Sequence, residues 1–512
     1  METANYKIRY KSAFTVILLF FCTYSILRTG KLYETSLGSI ISSLVFMLCC
    51  IYYLHLNHVQ LNLSSAPLLI ISFAFIFSVF LNGNILIRRC ALIVSIIIFL
   101  FALCKGTYNQ HLPSDNDNIP ADLVQCFLYG INTDRLGIIS KNNQNSKLAS
   151  KFLPQLLKIL LGLILSSPIF IFALLMLSYD SFFTELLNNM LSFDLDRLFE
   201  EAWLMICSIP IFIYTYLGIG SFTNQSSTKR FDNSFFSKIR SSLSWLSPIT
   251  IMSMVLPVLA LYVVFFISQW DYYTLAFYGV LPDGYSYAEY AREGFFQLCA
   301  VSTVNLLMML GCTWFSRLHG KKSRIILKVI TIAISVCSLI LILTAASKMY
   351  LYILEYGLTP LRVYSSWAMI VLAVIFLLFI AKQINDKLPL YSLCIVCTTI
   401  LFLALCICDP DTKIATYNTN QYISGNLERV DIDLLIDLGD SAVPALVNLY
   451  DFYHNLPEDQ QKALVEKHTS RPEKINIEEL RSIYCSSTPY TKYWSKLTMP
   501  YLLAKKAIET HP

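Results

Sequence analysis

Two stretches of this chain carry residue types at spacings that suit chemistry. The first is Tyr285-Ser-Tyr-Ala-Glu-Tyr-Ala-Arg-Glu-Gly-Phe-Phe-Gln-Leu298, which holds Tyr287, Glu289, Tyr290, Arg292 and Glu293. Glu289 and Arg292 are three residues apart, a spacing that supports an ion pair on a helix. The second runs from Lys348 to Arg362. Lys348, Tyr352 and Glu355 fall at i, i+4 and i+7, on one helical face, and Tyr356 comes next. Gly357 is a natural helix stop. Thr359-Pro360 then reads as the N-cap and first-turn proline of the next helix, with Arg362 in its first turn. Such carboxylates, cations and tyrosines either staple helix ends to one another or line a vestibule for a polar ligand. A carboxylate serving as general acid or base would come from Glu289, Glu293 or Glu355.

Other spacings carry less. Cys394-x-x-Cys397 is zinc-like, but it has no second pair and no nearby histidine. Asp115-Asn-Asp117 could hold a metal–phosphate, yet it sits in a Ser/Asn/Asp/Pro-rich stretch that favours a turn. His454, His468 and His511 show no metal-ligand spacing. The chain is therefore expected to need no metal and no cofactor.

The elements that must position these residues are set by composition. The chain has 512 residues, of which 55% are hydrophobic and only 14% charged. A soluble domain carries about 25% charged residues. So few charges cannot cover a soluble surface, which excludes a cytosolic globular enzyme, a disordered chain and a nucleic-acid binder of the basic-patch kind. Most of the fifteen cysteines lie in apolar runs, where thiols behave as small hydrophobes.

The expected fold is all-α: a polytopic helical membrane bundle of about eleven spans plus a small C-terminal helical domain outside the membrane. A span needs about 20 apolar residues. The candidates are 13–27, 37–55, 67–81, 90–104, 153–177, 203–222, 248–269, 294–315, 325–346, 364–381 and 391–408. The first comes after Lys7, Arg9 and Lys11 like a signal peptide, but no small-x-small cleavage site lies beyond it, so it reads as an uncleaved span. With the N-terminus inside, the inner segments hold 18 Lys and Arg and the outer loops 8, as the positive-inside rule requires. Lys158 and Lys328 sit near inner span ends, where long side chains can snorkel. The sequons at Asn62 and Asn224 fall inside and carry no weight. No carboxylate lies within a span, which argues against an ion-coupled carrier. Asn305, with Ser302 and Thr303, is the most polar mid-span group, and an interhelical hydrogen bond is its expected role. Residues 179–202 read either as an amphipathic helix on the outer surface or as a connector packed on its neighbours.

The character of the chain changes at Asp409-Pro410, dividing it into a transmembrane domain, 1–409, and an extracytoplasmic helical domain, 410–512. From residue 411 onward there are 11 basic and 14 acidic side chains. Leu434, Leu435 and Leu438 precede Gly439. Asp440 is expected to cap a second helix, in which Pro444 is tolerated in the first turn. The pair is HEAT-like, but one unit cannot stack a solenoid. Later helices are expected near 457–468, 476–485 and 495–509.

Four segments carry a family resemblance: Tyr290-Ala-Arg-Glu-Gly-Phe-Phe-Gln-Leu298; Tyr356-Gly-Leu-Thr-Pro-Leu-Arg362; Asp409-Pro with Ile414-Ala-Thr-Tyr-Asn418; and Leu438-Gly-Asp-Ser-Ala-Val-Pro-Ala-Leu446. Together, mainly over 250–450, they resemble bacterial membrane proteins of the domain-of-unknown-function families 4153 and 4173. The resemblance implies a bacterial inner membrane and assigns no catalytic or ligand residue. The expected function is binding of a ligand or partner at an outer vestibule and the C-terminal domain. Beyond the lipid bilayer, the partner would be an envelope protein or a lipid, not nucleic acid. One alternative is an outer-facing membrane enzyme acting on a lipid-linked or envelope substrate; its usual acidic residue in the first outer loop is here only the lone Glu34. The other is a transporter or channel.

Overall fold

The computed structural model describes residues 18–26, 28, 37–56, 59, 61–108, 195–223, 248–268, 287–315, 321–457, 475–485 and 497–511. Over 195–200, 217–223 and 287–298 it describes the backbone course alone. Among these residues the chain is all helical, with no strand. The expected span 153–177, the Asp115-Asn-Asp117 stretch, residues 179–194 and the helix expected at 457–468 lie outside the described residues.

A helical segment, 18–26, precedes α1 (Leu37–Leu56), α2 (Ala66–Leu81), α3 (Ile85–Tyr108), α4 (Leu195–Thr223), α5 (Pro248–Ser268) and α6 (Tyr287–Phe315). Then come α7 (Lys321–Tyr356), α8 (Pro360–Ile384), α9 (Leu390–Cys408) and α10 (Pro410–Ile423). The chain ends in α11 (Ile432–Asp437), a short 3-10 turn (Gly439–Ala442), α12 (Val443–His454), α13 (Ile477–Cys485) and α14 (Met499–Thr510).

Among the described residues, five helices are long and apolar enough to cross a membrane: Leu37–Leu56, Ile85–Gly106, Arg324–Tyr356, Pro360–Ile384 and Leu390–Cys408. Four shorter apolar stretches accompany them, at Ala66–Leu81, Glu201–Tyr216, Thr250–Val264 and Cys299–Thr313. The surface of α8 shows why water is not their solvent. Leu361, Ile370, Leu377 and Ile384 recur at near-heptad spacing and are all more than half exposed. An apolar face left uncovered along a whole helix is what a lipid-facing helix presents. The protein is a membrane protein.

The described residues fall into two compact units. One holds those up to Ser72 together with 96–108 and α4; the other holds 73–95 and everything from α5 onward. In the first unit, Phe20 packs edge-on against Phe212 and Tyr53 against Tyr216. Glu201 accepts from Tyr24 and pairs with Arg28 at 2.8 Å.

In the second unit, α6 to α9 pack as successive antiparallel neighbours around Met309, Leu341, Ala345, Phe376 and Phe379. Asn305 ties three helices together. Its Oδ1 accepts from the Tyr262 hydroxyl of α5 at 2.5 Å, and its Nδ2 donates to Ser338 Oγ of α7 at 2.9 Å. Trp367 Nε1 donates to the Leu401 carbonyl, joining α8 to α9. At one end Lys328 pairs with Asp386 at 2.9 Å, and Lys382 closes the 385–389 turn by donating to the carbonyls of Asp386 and Leu388.

The helices from α10 onward share a core that includes Ile414, Leu435, Leu446, Ile477, Tyr501 and Ile508. Pro444 lies in the first turn of α12, as expected. Asp440 does not cap that helix. It falls in the 3-10 turn, and its carboxylate accepts from the Tyr484 hydroxyl of α13 at 2.5 Å. A buried phenol in need of an acceptor outcompetes a cap that the 3-10 turn makes unnecessary.

Candidate functional site

At one end of the second unit, the short links between helices converge. Asn82-Gly83-Asn84 joins α2 to α3. Asn84 Oδ1 accepts from the backbone N–H of Leu86 at 3.0 Å and of Ile87 at 3.3 Å, capping α3. That bond fixes the amide orientation, so Nδ2 faces outward. It donates to Asp411 Oδ2 at 3.0 Å and to the Tyr364 hydroxyl at 3.1 Å. Asn82 Nδ2 donates to the Cys406 carbonyl at 3.0 Å, satisfying an orphan acceptor in the last turn of α9. The Gly83 N–H donates to Asp409 Oδ1 at 3.0 Å. A Cβ on Gly83 would lie 1.9 Å from Ser441 Oγ, so a side chain there would have to push the Ser441 hydroxyl aside.

Asp409 ends α9 and begins α10 in a single left-handed residue, φ 44°. Pro410 lies in the first turn of α10. Asp409 Oδ2 accepts from Thr412 and, at 3.5 Å, from Ser441. Burial pushes its carboxyl up, opposed by the Gly83 N–H, the Thr412 and Ser441 hydroxyls and the charge of Arg88. Asp411 is 4% exposed. Burial pushes it up to about 6; the Asn84 hydrogen bond opposes this and the Asp409 charge adds to it. Among the described residues its Oδ1 has no hydrogen-bond partner.

A second clasp lies beside the first. Leu358 N–H donates to Asn418 Oδ1 at 2.6 Å, and Asn418 Nδ2 donates back to the Leu358 carbonyl at 2.8 Å. Gly357 stops α7 at φ 72°, and a Cβ there would meet Asn418 Oδ1 at 2.5 Å. Thr359 caps α8 by accepting from the Arg362 N–H. Arg362 Nη1 donates to the carbonyls of Tyr356, at 3.0 Å, and Gly357, at 2.5 Å. Its guanidinium lies 3.9 Å from the centre of the Tyr352 ring, a cation–π contact. Tyr352 in turn packs edge-on against Tyr356.

Of the residues that the sequence singled out, the structure therefore brings Tyr352, Tyr356 and Arg362 together. Glu355 is exposed on the same helix end, and Lys348 lies two turns before it, partly buried. Tyr287, Glu289, Tyr290, Arg292 and Glu293 occupy the first turns of α6, with side chains outside the described residues. Cys394 and Cys397 are free, partly buried thiols on α9. Among the described residues, no group of three or more His, Cys, Asp or Glu could hold a metal ion.

Sequence reasoning missed the Asp411 cluster. Its partners are 280 to 327 residues apart along the chain, and Asn82-Gly83-Asn84 looks like any polar turn. The one local signal was an acid on each side of Pro410 immediately after an apolar run.

Three of the four segments that carry the resemblance, at 356–362, 409–418 and 438–446, meet here. The match also extends well before them. No curated protein and no solved structure matches the chain. Residues 16–449 match the profile of the family described as a domain of unknown function, DUF4153, and the chain belongs to that family.

Proposed function

We propose that this is a multi-pass protein of a bacterial inner membrane that binds a ligand or partner at its outer end, where the helix links meet the C-terminal domain. One observation carries the reading. The Arg362 guanidinium is held over Tyr352 beside the exposed Tyr356 and Glu355, at the end where α10 and the turn 439–442 are clasped to the helix links. A preorganised cation, a carboxylate and two phenols on a rigid rim suit a polar ligand. Glu289 and Arg292, with Tyr287, Tyr290 and Glu293, would complete the rim from the start of α6, and Lys348 would stand behind it.

Parity supports eleven spans. The 82–84 link, the 357–359 turn and Asp409 lie at one end of the helices, so the chain crosses an even number of times between Asn84 and Gly357. The described helices in that interval, α3 to α7, are odd in number. The apolar run 153–177, outside the described residues, would supply the missing crossing. With the N-terminus in the cytoplasm, eleven crossings leave 410–512 as an extracytoplasmic domain.

The alternatives draw less support. A transport path would use Asn305, whose amide is taken up by Tyr262 and Ser338. An outer-facing enzyme would need Glu289, Glu293 or Glu355 as its acid, and Glu355 stands exposed at the end of α7.

Two measurements test the reading. A reporter fused after Pro512 should be active only outside the cytoplasm; cytoplasmic activity removes the outer rim altogether. Glu355→Ala and Arg292→Ala should abolish a cellular phenotype while membrane abundance stays unchanged. Equal loss of protein in both would make these residues staples of the fold.

A further inference from the structure

Helix α14 buries one face and leaves the other bare. Tyr501, Ala504 and Ile508, at i, i+3 and i+7, pack into the domain core. On the opposite face Met499, Leu502 and Leu503 stay 39–40% exposed, and that face continues to the exposed Lys506 and Thr510. The bare apolar surface is thus confined to the first turn, and polar side chains lie beyond it.

That first turn is also the part of the helix held closest to the membrane spans. Pro500 Cγ lies 3.5 Å from the position a Cβ on Gly83 would take. Gly83 is two residues past Leu81, the last residue of apolar α2. Around the same end, Leu86 of α3 and Leu361 of α8 are 67% and 65% exposed. The apolar turn of α14 therefore continues the belt of uncovered side chains at the span ends.

We propose that the first turn of α14 is seated in the interfacial layer of the bilayer its own spans cross, with phospholipid as its partner. The order of residues favours lipid over protein. A protein interface has an apolar centre and a polar rim on all sides. Here polarity rises in one direction along the helix, as it does with height above a bilayer. Lys506, one turn above Leu502 and Leu503, stands where an ammonium can reach headgroup phosphates while its stem stays on apolar surface. The inference rests on the spans lying in a membrane, and not on the ligand at the rim or on which side it faces.

Photo-crosslinking of the full-length protein tests it. Leu503→p-benzoylphenylalanine is compared with the same replacement at Leu361, on a span, and at Glu509, in the last turn of α14. The vesicles are phosphatidylethanolamine and phosphatidylglycerol with tritiated acyl chains. Labelled lipid should attach at 503 about as strongly as at 361 and about tenfold more than at 509. Met499→p-benzoylphenylalanine gives the same comparison where the 503 variant accumulates poorly. Label at 361 without label at 503 and 499, or crosslinks from those positions to a second copy or another protein, overturns the proposal. Absence of label at 361 as well would overturn the membrane placement on which it stands.

Discussion

Asn305 and Asp411 are both buried polar side chains, 1% and 4% exposed, yet their surroundings differ. Asn305 lies in the middle of α6, and its two amide ends are matched by a phenol on α5 and a hydroxyl on α7. Every group in that set is neutral. Asp411 lies one residue beyond Pro410, just past the end of a span. Its neighbours include a second carboxylate, and one of its oxygens has no partner among the described residues. Hydrocarbon offers a stray charge no water, so mid-span links are made from amides and hydroxyls. At the helix ends, where water and headgroups begin, carboxylates are tolerated. There they do what neutral groups do less well: they accept from several donors at once and draw separate links into one knot.

The comparison breaks most readily at Gly83. Gly83→Val drives a branched side chain into Ser441 and should cost about 3 kcal/mol. Limited proteolysis should then release the region after residue 410 while the spans persist. An unchanged proteolytic pattern would show that the 439–442 turn does not depend on this approach.

Acidity sharpens it next. In the folded protein Asp411 is raised from the ordinary 3.8 to about 6, mainly by burial. Between those values the native chain holds a proton that the unfolded chain has released. This contribution to stability is therefore greatest below pH 3.8, falls as pH rises to about 6, and stays constant above. The change should be about 3 kcal/mol. Thermal unfolding in lipid nanodiscs across this range reads it, and Asp411→Asn should flatten the profile. A variant that keeps the slope would assign it to another group, Asp409 first.

Mid-span, Asn305→Ala removes two neutral hydrogen bonds and should cost about 1 kcal/mol with no pH dependence. A larger loss would mean the three helices depend on that amide more than on their packing. The smallest effect is expected at the opposite helix end. Asp386, held below the usual carboxylate range by the Lys328 ammonium, is largely exposed. Asp386→Asn should leave the melting temperature unchanged, because solvent screens such a pair.

Much of the helical scaffold was legible from the residues alone. Apolar runs of span length, Gly357 as a stop and Thr359-Pro360 as a start are local features, and they became α7, its end and the cap of α8. The interhelical role of Asn305 was legible too, since an amide in hydrocarbon has few other uses. What was not legible depends on chain separation. Nothing near Asn84 announces Asp411, and nothing near Leu358 announces Asn418. Asp440 misled for the related reason that capping is a local rule, whereas the Tyr484 hydroxyl that claims it arrives from 44 residues away. The order Tyr352, Tyr356, helix stop, cap and Arg362 was legible locally, whereas the contact of Arg362 with Tyr352 and the buried acids nearby were not.

One residue, Asp409, serves as the junction at which α9 ends and α10 begins. No slack chain separates the last apolar helix from the helices that come after it. A twist of α9 about its long axis must therefore turn α10 by a similar angle, instead of being absorbed by a floppy tether. A tilt of α9 in the bilayer is thus handed on to the start of α10 through one residue, and the Gly83 and Asn418 clasps hold both helices to the same course.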